Sequence, residues 1–340
     1  MFLSLNSLTE ATHIRSSAWL EHAPFAFWLM ENLAPKTVVE LGTHNGFSFL
    51  TFCQAVKQMQ SETKIFAIDT WQGDEHAGFY SSEVFNALED ELQRFYPGIG
   101  LMIKSTFDEA RPQFAKGTID LLHIDGRHRY EDVVHDFQTW RETMSDNGVI
   151  LFHDTRVQHA DFGVWKFWSE IENNFPTFEF FHGHGLGVLA IGKKAPQKVL
   201  DLCKAGFKEK SIVRETYARL GSINSMEWSS QLANAEHQNI IQELTDKASY
   251  LDTQNKSISN QIEENKIIHN RIQEELAQRN SELSSQAEKA QETIAMLKMD
   301  FDYQLNRNTS MLKSRSWRLT APYRYFGRTI KYTTRKLFNR

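Results

Sequence analysis

Residues 37–46 read Thr37-Val-Val-Glu40-Leu-Gly42-Thr-His-Asn-Gly46, and this stretch decides the fold. Val38 and Val39 are β-branched, as a short strand buried in a parallel sheet requires. A tight strand-to-helix turn follows. Gly42 and Gly46 lack a Cβ, so the backbone can bend sharply there and lie against a ligand. Residues 47–56 read as a helix whose N-terminal amides point at whatever sits over the turn. The spacing is acidic-x-Gly-x-x-x-Gly, not the Gly-x-Gly-x-x-Gly of dinucleotide binders. A carboxylate ahead of the first glycine suits a cofactor bearing hydroxyls or positive charge better than a pyrophosphate. A purely structural glycine turn fits these ten residues as well.

Outward from the turn, strands and helices alternate. Residues 16–33 read as a helix before it. Residues 64–69, Lys-Ile-Phe-Ala-Ile-Asp, are a second buried strand ending in Asp69, where a Rossmann-like fold hydrogen-bonds a ribose diol. The alternative for Asp69 is a helix cap or a solvated turn. Residues 70–80 mix aromatics, acids and glycines and read as a mobile loop over the site. A helix over 82–95, a strand over 101–104 and the stretch Ser105-Thr-Phe-Asp108, suited to covering an aromatic base, come next. Residues 119–125 and 149–154 are further strands, ending in Asp125 and Asp154, with a helix from 131 to about 144 between them. A helix over 162–173 and strands over 178–181 and 188–191 close the domain near residue 195. The expected fold is α/β, a Rossmann-like doubly wound domain of seven strands.

The totals narrow the function classes. The 340 residues are 41% hydrophobic, enough for one large core and an accessory region. The net charge of −5 hides a strong polarity: residues 303–340 carry ten basic side chains and no acidic one, so the first 302 carry −15. An acidic body is a poor general partner for nucleic acid, whereas the basic tail seeks an anionic surface. Two distant cysteines, Cys53 and Cys203, fit a reducing compartment. No signal peptide and no run of about 20 apolar residues is present, so a cytoplasmic chain is expected.

Beyond residue 195 a linker to about 225 is expected, then a coiled coil over 226–312 and a basic amphipathic tail over 313–340. Ile241, Leu244, Ala248, Leu251, Ile258, Ile262 and Ile272 fit the a and d positions of a heptad. Near Leu276 the phase moves by four, which reads as a stutter. A solvated single helix of this length would be marginal without a partner, so self-association through the coiled coil is expected. In the tail, Tyr323, Phe326, Ile330 and Leu337 share one helical face and Arg324, Arg328, Lys331 and Arg335 a neighbouring one. That pattern suits an anionic membrane interface, or docking to an acidic partner.

Two chemistries converge at the strand ends. Asp125 and Asp154 would open at the same sheet edge as the Gly42 turn and could hold Mg²⁺ or another divalent cation, with His153 as a third ligand; the alternative is that both cap the following helices. His128 ranks first and His76 second as a general base, each lying among Gly, Asp and Tyr in loops at that edge.

Four motifs together, Glu40-Leu-Gly-Thr-His-Asn-Gly46, Asp69-Thr-Trp-Gln-Gly73, Ile124-Asp-Gly-Arg-His-Arg-Tyr-Glu-Asp132 and Gly148-Val-Ile-Leu-Phe-His-Asp154, resemble the class I S-adenosylmethionine (SAM) methyltransferases, in the group of macrocin-type sugar O-methyltransferases and cephalosporin-hydroxylase-like proteins. The resemblance spans residues 20–194. It implies SAM as cofactor, bound by Glu40, Gly42, Thr43, Gly46, Asp69, Ser105 and Asp125, and methyl transfer to a sugar hydroxyl. Related metal-dependent enzymes place two adjacent acidic or amide ligands after strand five; here that pair is His153-Asp154. Ser314-Arg-Ser-Trp-Arg-Leu-Thr-Ala-Pro322 is similar to a segment found after coiled coils in bacterial polysaccharide-assembly enzymes. It implies a lipid-linked glycan acceptor, glycosyltransferase partners and a place at the inner face of the cytoplasmic membrane. The rivals are a non-catalytic coiled-coil scaffold with a degenerate domain, and a nicotinamide-dependent oxidoreductase, which the glycine spacing disfavours.

Overall fold

The computed structural model describes residues 2–74, 78–79, 81–159, 161–264 and 270–313. His76 and residues 314–340 of the basic tail lie outside them. The chain forms two compact units, Met1–Trp228 and Ser229–Arg340.

In the first unit the elements are α1 (Ala23–Leu33), β1 (Thr37–Leu41), α2 (Phe47–Met59), β2 (Lys64–Asp69), β3 (Gly73–Asp74), β4 (Gly78–Phe79), α3 (Ser82–Phe95) and β5 (Gly100–Lys104). Then come α4 (Phe107–Ala110), β6 (Ile119–Ile124), α5 (Tyr130–Trp140), β7 (Met144–His153), α6 (Val164–Ile171), β8 (Thr177–Phe180), β9 (Leu186–Ala190) and α7 (Gln197–Lys204). Seven strands form one sheet in the order β5-β2-β1-β6-β7-β9-β8. The first five are parallel; β9 runs antiparallel to β7, and β8 to β9. The parallel strands are apolar runs because both sheet faces are covered. One face packs α1, α2 and α3 through Trp28, Phe49, Phe52 and Leu88, and the other packs α4, α5 and α6 through Phe137, Trp140 and Phe167. The order reverses between β1 and β6, and such a switch point opens a crevice beyond the strand ends.

Three boundaries differ from the sequence reading. The helix expected from residue 16 begins at Ala23, with Pro24 in its first turn, where the missing N–H costs nothing. Within residues 70–80 a two-stranded ribbon, β3 on β4, forms where a loop was expected. The expected linker is helical: α7 and the start of α8 (Phe207–Glu264) bury Val199, Leu202, Val213, Tyr217 and Asn224 in the first unit.

In the second unit the remainder of α8 lies beside α9 (Asn270–Lys313). The His237 ring meets Phe301 at 5.9 Å, and Ile241, Ile294 and Leu297 line the space between the helices. An early residue of α8 thus meets a late one of α9, so the two run antiparallel within one chain. Leu276, near which the phase change is read, lies within α9, beyond the end of α8 at Glu264.

Candidate functional site

The turn after β1 is built by close approach. Gly42 has φ +86°, and a Cβ there would stand 2.1 Å from the backbone oxygen of Asp125. The turn is tied on both sides: Gly42 N–H donates to Ile68 O at 3.0 Å, and Asp125 N–H donates to Leu41 O at 2.9 Å. Asp69 fastens it further, accepting from Thr43 N–H at 2.8 Å, His44 N–H at 3.0 Å and Trp71 N–H at 2.7 Å. A carboxylate accepts about four hydrogen bonds, so Asp69 holds the turn and keeps one acceptor position. Gly46, also at positive φ, starts α2 against Leu88.

Glu40 lies elsewhere than the cofactor reading placed it. It is wholly buried, stands opposite His123 in the β1–β6 register, and accepts from His123 Nδ1 at 2.9 Å. Trp19 covers the pair, its ring 5.5 Å from that of His123. Glu40 thus braces the floor beneath the crevice. Ser105 spends its N–H on Asp69 O, and its neighbours Thr106 and Phe107 line the crevice instead.

Beyond β6 and β7 the acids and imidazoles interlock. His128 Nε2 lies 2.9 Å from Asp154 Oδ2 and 3.8 Å from Asp125 Oδ1. His153 Nδ1 donates to Asp125 Oδ1 at 3.1 Å while its Nε2 donates to the Gly183 carbonyl at 2.9 Å. A carbonyl only accepts, so His153 carries both ring protons. Burial lowers its pKa, but the charges of Asp125 and Asp154 outweigh burial and hold it well above the usual histidine value. His153 therefore has no lone pair for a cation; it stands behind the two carboxylates. For His128, too, burial works downward, and the hydrogen bonds and charges of Asp125 and Asp154 overcome it, lifting the pKa to about 9. Burial raises both carboxyls, yet the His153 charge and the imidazole hydrogen bonds keep them below the ordinary carboxylate range.

Local backbone sets these side chains. Asp154 has φ +60° and His184 φ +65°, conformations rare outside glycine and common at functional sites. The left-handed turn at Asp154 breaks strand alternation, so His153 and Asp154 both reach Asp125. His128 stacks on Phe162, rings 4.7 Å apart and 8° from parallel, because the chain at 162–163 is pinned to 128–129 by Gly163 N–H on His128 O. His184 Nδ1 reaches the other oxygen of Asp154 at 3.1 Å. The sequence reading passed over His184 and Phe162, and no spacing in it points to either. The His123–Glu40 pair did leave a signal: each is a titratable residue flanked by apolar ones within a strand.

The Gly42–Gly46 turn, Asp69, Asp125, His128, Asp154 and His184 line one cavity of about 580 Å³, a volume usual for cofactor-sized ligands. Gly42 lacks a Cβ because its backbone packs directly on that of Asp125 and Gly126, and the turn so held lines the cavity. One ligand atom each from Asp125, His128 and Asp154 falls within 4.8 Å of the others, a donor set of two carboxylates and an imidazole that fits a divalent cation. A larger open cleft at the other sheet edge has its buried acid, Asp120, spent on Lys36 N–H, Thr37 N–H and Ser145 Oγ.

Residues 39–155 match the family model described as a methyltransferase domain. An uncharacterised protein of Sinorhizobium fredii, y4gI, is 45% identical over 188 residues, covering 55% of this chain and 21% of its own length. The chain thus spans about a fifth of that curated relative. Among solved structures, TomG of Streptomyces achromogenes, an O-methyltransferase in complex with SAM, is 11% identical, covering 56% of this chain and 97% of its own, with a TM-score of 0.39. The SAH-bound methyltransferase PaMTH1 of Podospora anserina is 13% identical, covering 49% and 76%, also at 0.39. Strand order and glycine turn agree with the match of residues 39–155 to a methyltransferase domain.

Proposed function

We propose that this chain is an O-methyltransferase that moves the methyl group of SAM to a sugar hydroxyl during assembly of a bacterial surface glycan, with a divalent cation such as Mg²⁺ as second cofactor. The observation that carries the reading is the meeting of Asp125, His128 and Asp154 in the same cavity as the Gly42 turn. Bound there, SAM supplies an electrophilic methyl on a sulfonium and the cation lowers the pKa of the acceptor hydroxyl. Thr43, Gly46 and Asp69 would hold the cofactor, and Thr106 and Phe107 line the same cavity. His153 fixes Asp125, and Phe162 fixes the plane of His128.

His128 makes a poor general base in this setting. Without a cation it is protonated, and as a ligand its lone pair is spent. His184, exposed and tied through Nδ1 to Asp154, keeps Nε2 for the hydroxyl proton. The sugar acceptor, the glycosyltransferase partners, self-association and a place at the inner membrane face draw on the motifs and on the basic residues 313–340. Among the described residues no helix is long and apolar enough to cross a membrane.

The test is calorimetric titration of S-adenosylhomocysteine (SAH) into the full chain, with and without Mg²⁺. Micromolar binding, lost in Asp69→Ala, supports the reading. A folded chain that binds no SAH refutes it and leaves the scaffold.

A further inference from the structure

Arg127 stands apart from the other arginines of the first unit. Arg15 and Arg129 meet Glu91 and Asp161, Arg156 meets Glu179, Arg111 meets two backbone carbonyls, and Arg94 and Arg141 lie over the rings of Phe95 and Phe137. Arg127 is exposed and has no carboxylate, carbonyl or ring partner among the described residues.

Its position gives that vacancy a direction. Arg127 lines the cavity that holds Asp125, His128 and Asp154, and it is the one lysine or arginine among the described residues that does so. The other charges there are already matched: Asp69 by three backbone N–H groups, and Asp125 and Asp154 by His128, His153 and His184. Consecutive Cα atoms are about 3.8 Å apart, so the Arg127 Cα lies within about 7.6 Å of that of Asp125. An arginine side chain has similar reach. The side chain is therefore long enough to meet a ligand bound in the cavity that the acids line. On β4, Phe79 lines the same cavity with its ring 81% exposed, a flat face for the ring of a sugar or a base.

We infer that the acceptor is an anion, a sugar carried on a diphosphate, whose phosphate is held by Arg127. The inference rests on the methyltransferase reading and deepens it to a substrate class. A guanidinium presents paired N–H donors that match phosphate oxygens, and such charge-assisted bonds are the strong ones. The diphosphate belongs equally to a nucleotide-linked and to a lipid-linked sugar.

The full chain, saturated with SAH in metal-free, low-salt buffer, is titrated with inorganic pyrophosphate, with UDP and with farnesyl diphosphate. One pyrophosphate is expected to bind per chain. Arg127→Ala should weaken all three probes about tenfold or more, and Arg127→Lys should recover part of the loss as a point charge. The exposed guanidinium carries no packing, so both variants should melt as the parent chain does. UDP tighter than pyrophosphate assigns a nucleotide carrier, and farnesyl diphosphate tighter assigns a lipid carrier. Pyrophosphate that binds Arg127→Ala as well as the parent chain, or binds neither, overturns the inference. Failure of SAH to bind appears before any probe is added and counts against the methyltransferase reading alone.

Discussion

Asp136 offers a test of how the domain handles a buried charge. It sits on α5, 6% exposed, with Oδ2 3.6 Å from the place a Cβ on Gly126 would take, directly behind the Asp125–Gly126 turn. Burial raises its pKa from 3.8 to about 7; the His135 charge opposes, and those of Asp132 and Asp108 add to the rise. The unfolded chain ionises this group near pH 4, the folded chain near pH 7. Between those values the native state binds the extra proton, so stability falls as pH rises through that window and levels off above it. At about 1.4 kcal/mol per pKa unit, the full penalty at pH 8.5 is at most about 4 kcal/mol. An asparagine side chain at this position would keep the shape and shed the charge. Asp136→Asn should therefore leave stability unchanged below pH 4 and raise it by about 2–4 kcal/mol at pH 8.5, roughly 5–15 °C in melting temperature for a unit of this size. Near-UV circular dichroism reads the right unit, because Trp19, Trp28, Trp71 and Trp140 are buried there and the described residues of the helical unit contain no tryptophan. A melting difference that is the same at pH 5 and pH 8.5 would refute the reasoning.

Three further substitutions probe the site. Gly42→Ala places a methyl 2.1 Å from Asp125 O at φ +86°, with backbone on both sides unable to yield; SAH affinity should fall at least about 100-fold, and an unchanged titration would show that the turn can relax. His153→Leu strips the proton donor from Asp125 and the Gly183 carbonyl and leaves the two carboxylates to His128 and His184 alone. It should cost about 3–5 kcal/mol at pH 7, and a melting temperature equal to the parent's would mean that His153 is neutral. Asn224, 6% exposed on α8, donates to Leu20 O at 2.9 Å, just beyond the 16–19 segment that lines the cavity. Asn224→Ala should cost about 1–2 kcal/mol and weaken SAH severalfold; an unaffected SAH affinity would show that this segment holds its place without α8.

The alternating fold was legible because buried parallel strands must be apolar runs and their ends must turn. Each of β1, β2, β6 and β7 announces itself by β-branched or leucine-rich residues stopped by an acid or a glycine. Pro24 marked the start of α1 as well, and the expectation of a helix from residue 16 overlooked it. The two ends of the later strands, Asp125 and Asp154, were legible for the same reason. Their partners were not. Which imidazole faces which carboxylate depends on the left-handed backbone at Asp154 and His184, and neither residue type advertises positive φ in its neighbours.

The helical unit makes the converse point about periodicity. A heptad pattern specifies that a seam is buried but carries no statement of what buries it. Ile241 and Leu244 of α8, and Ile294 and Phe301 of α9, are half-buried, while Met296, Met299 and Tyr303 on the far side of α9 remain 74%, 75% and 66% exposed. An intermolecular coiled coil and an intramolecular hairpin both satisfy the first set, since knobs on one helix need only a facing helix. Direction distinguishes them. In a parallel self-pairing Phe301 would meet Phe301, whereas here it meets His237 on the helix that precedes it in the same chain.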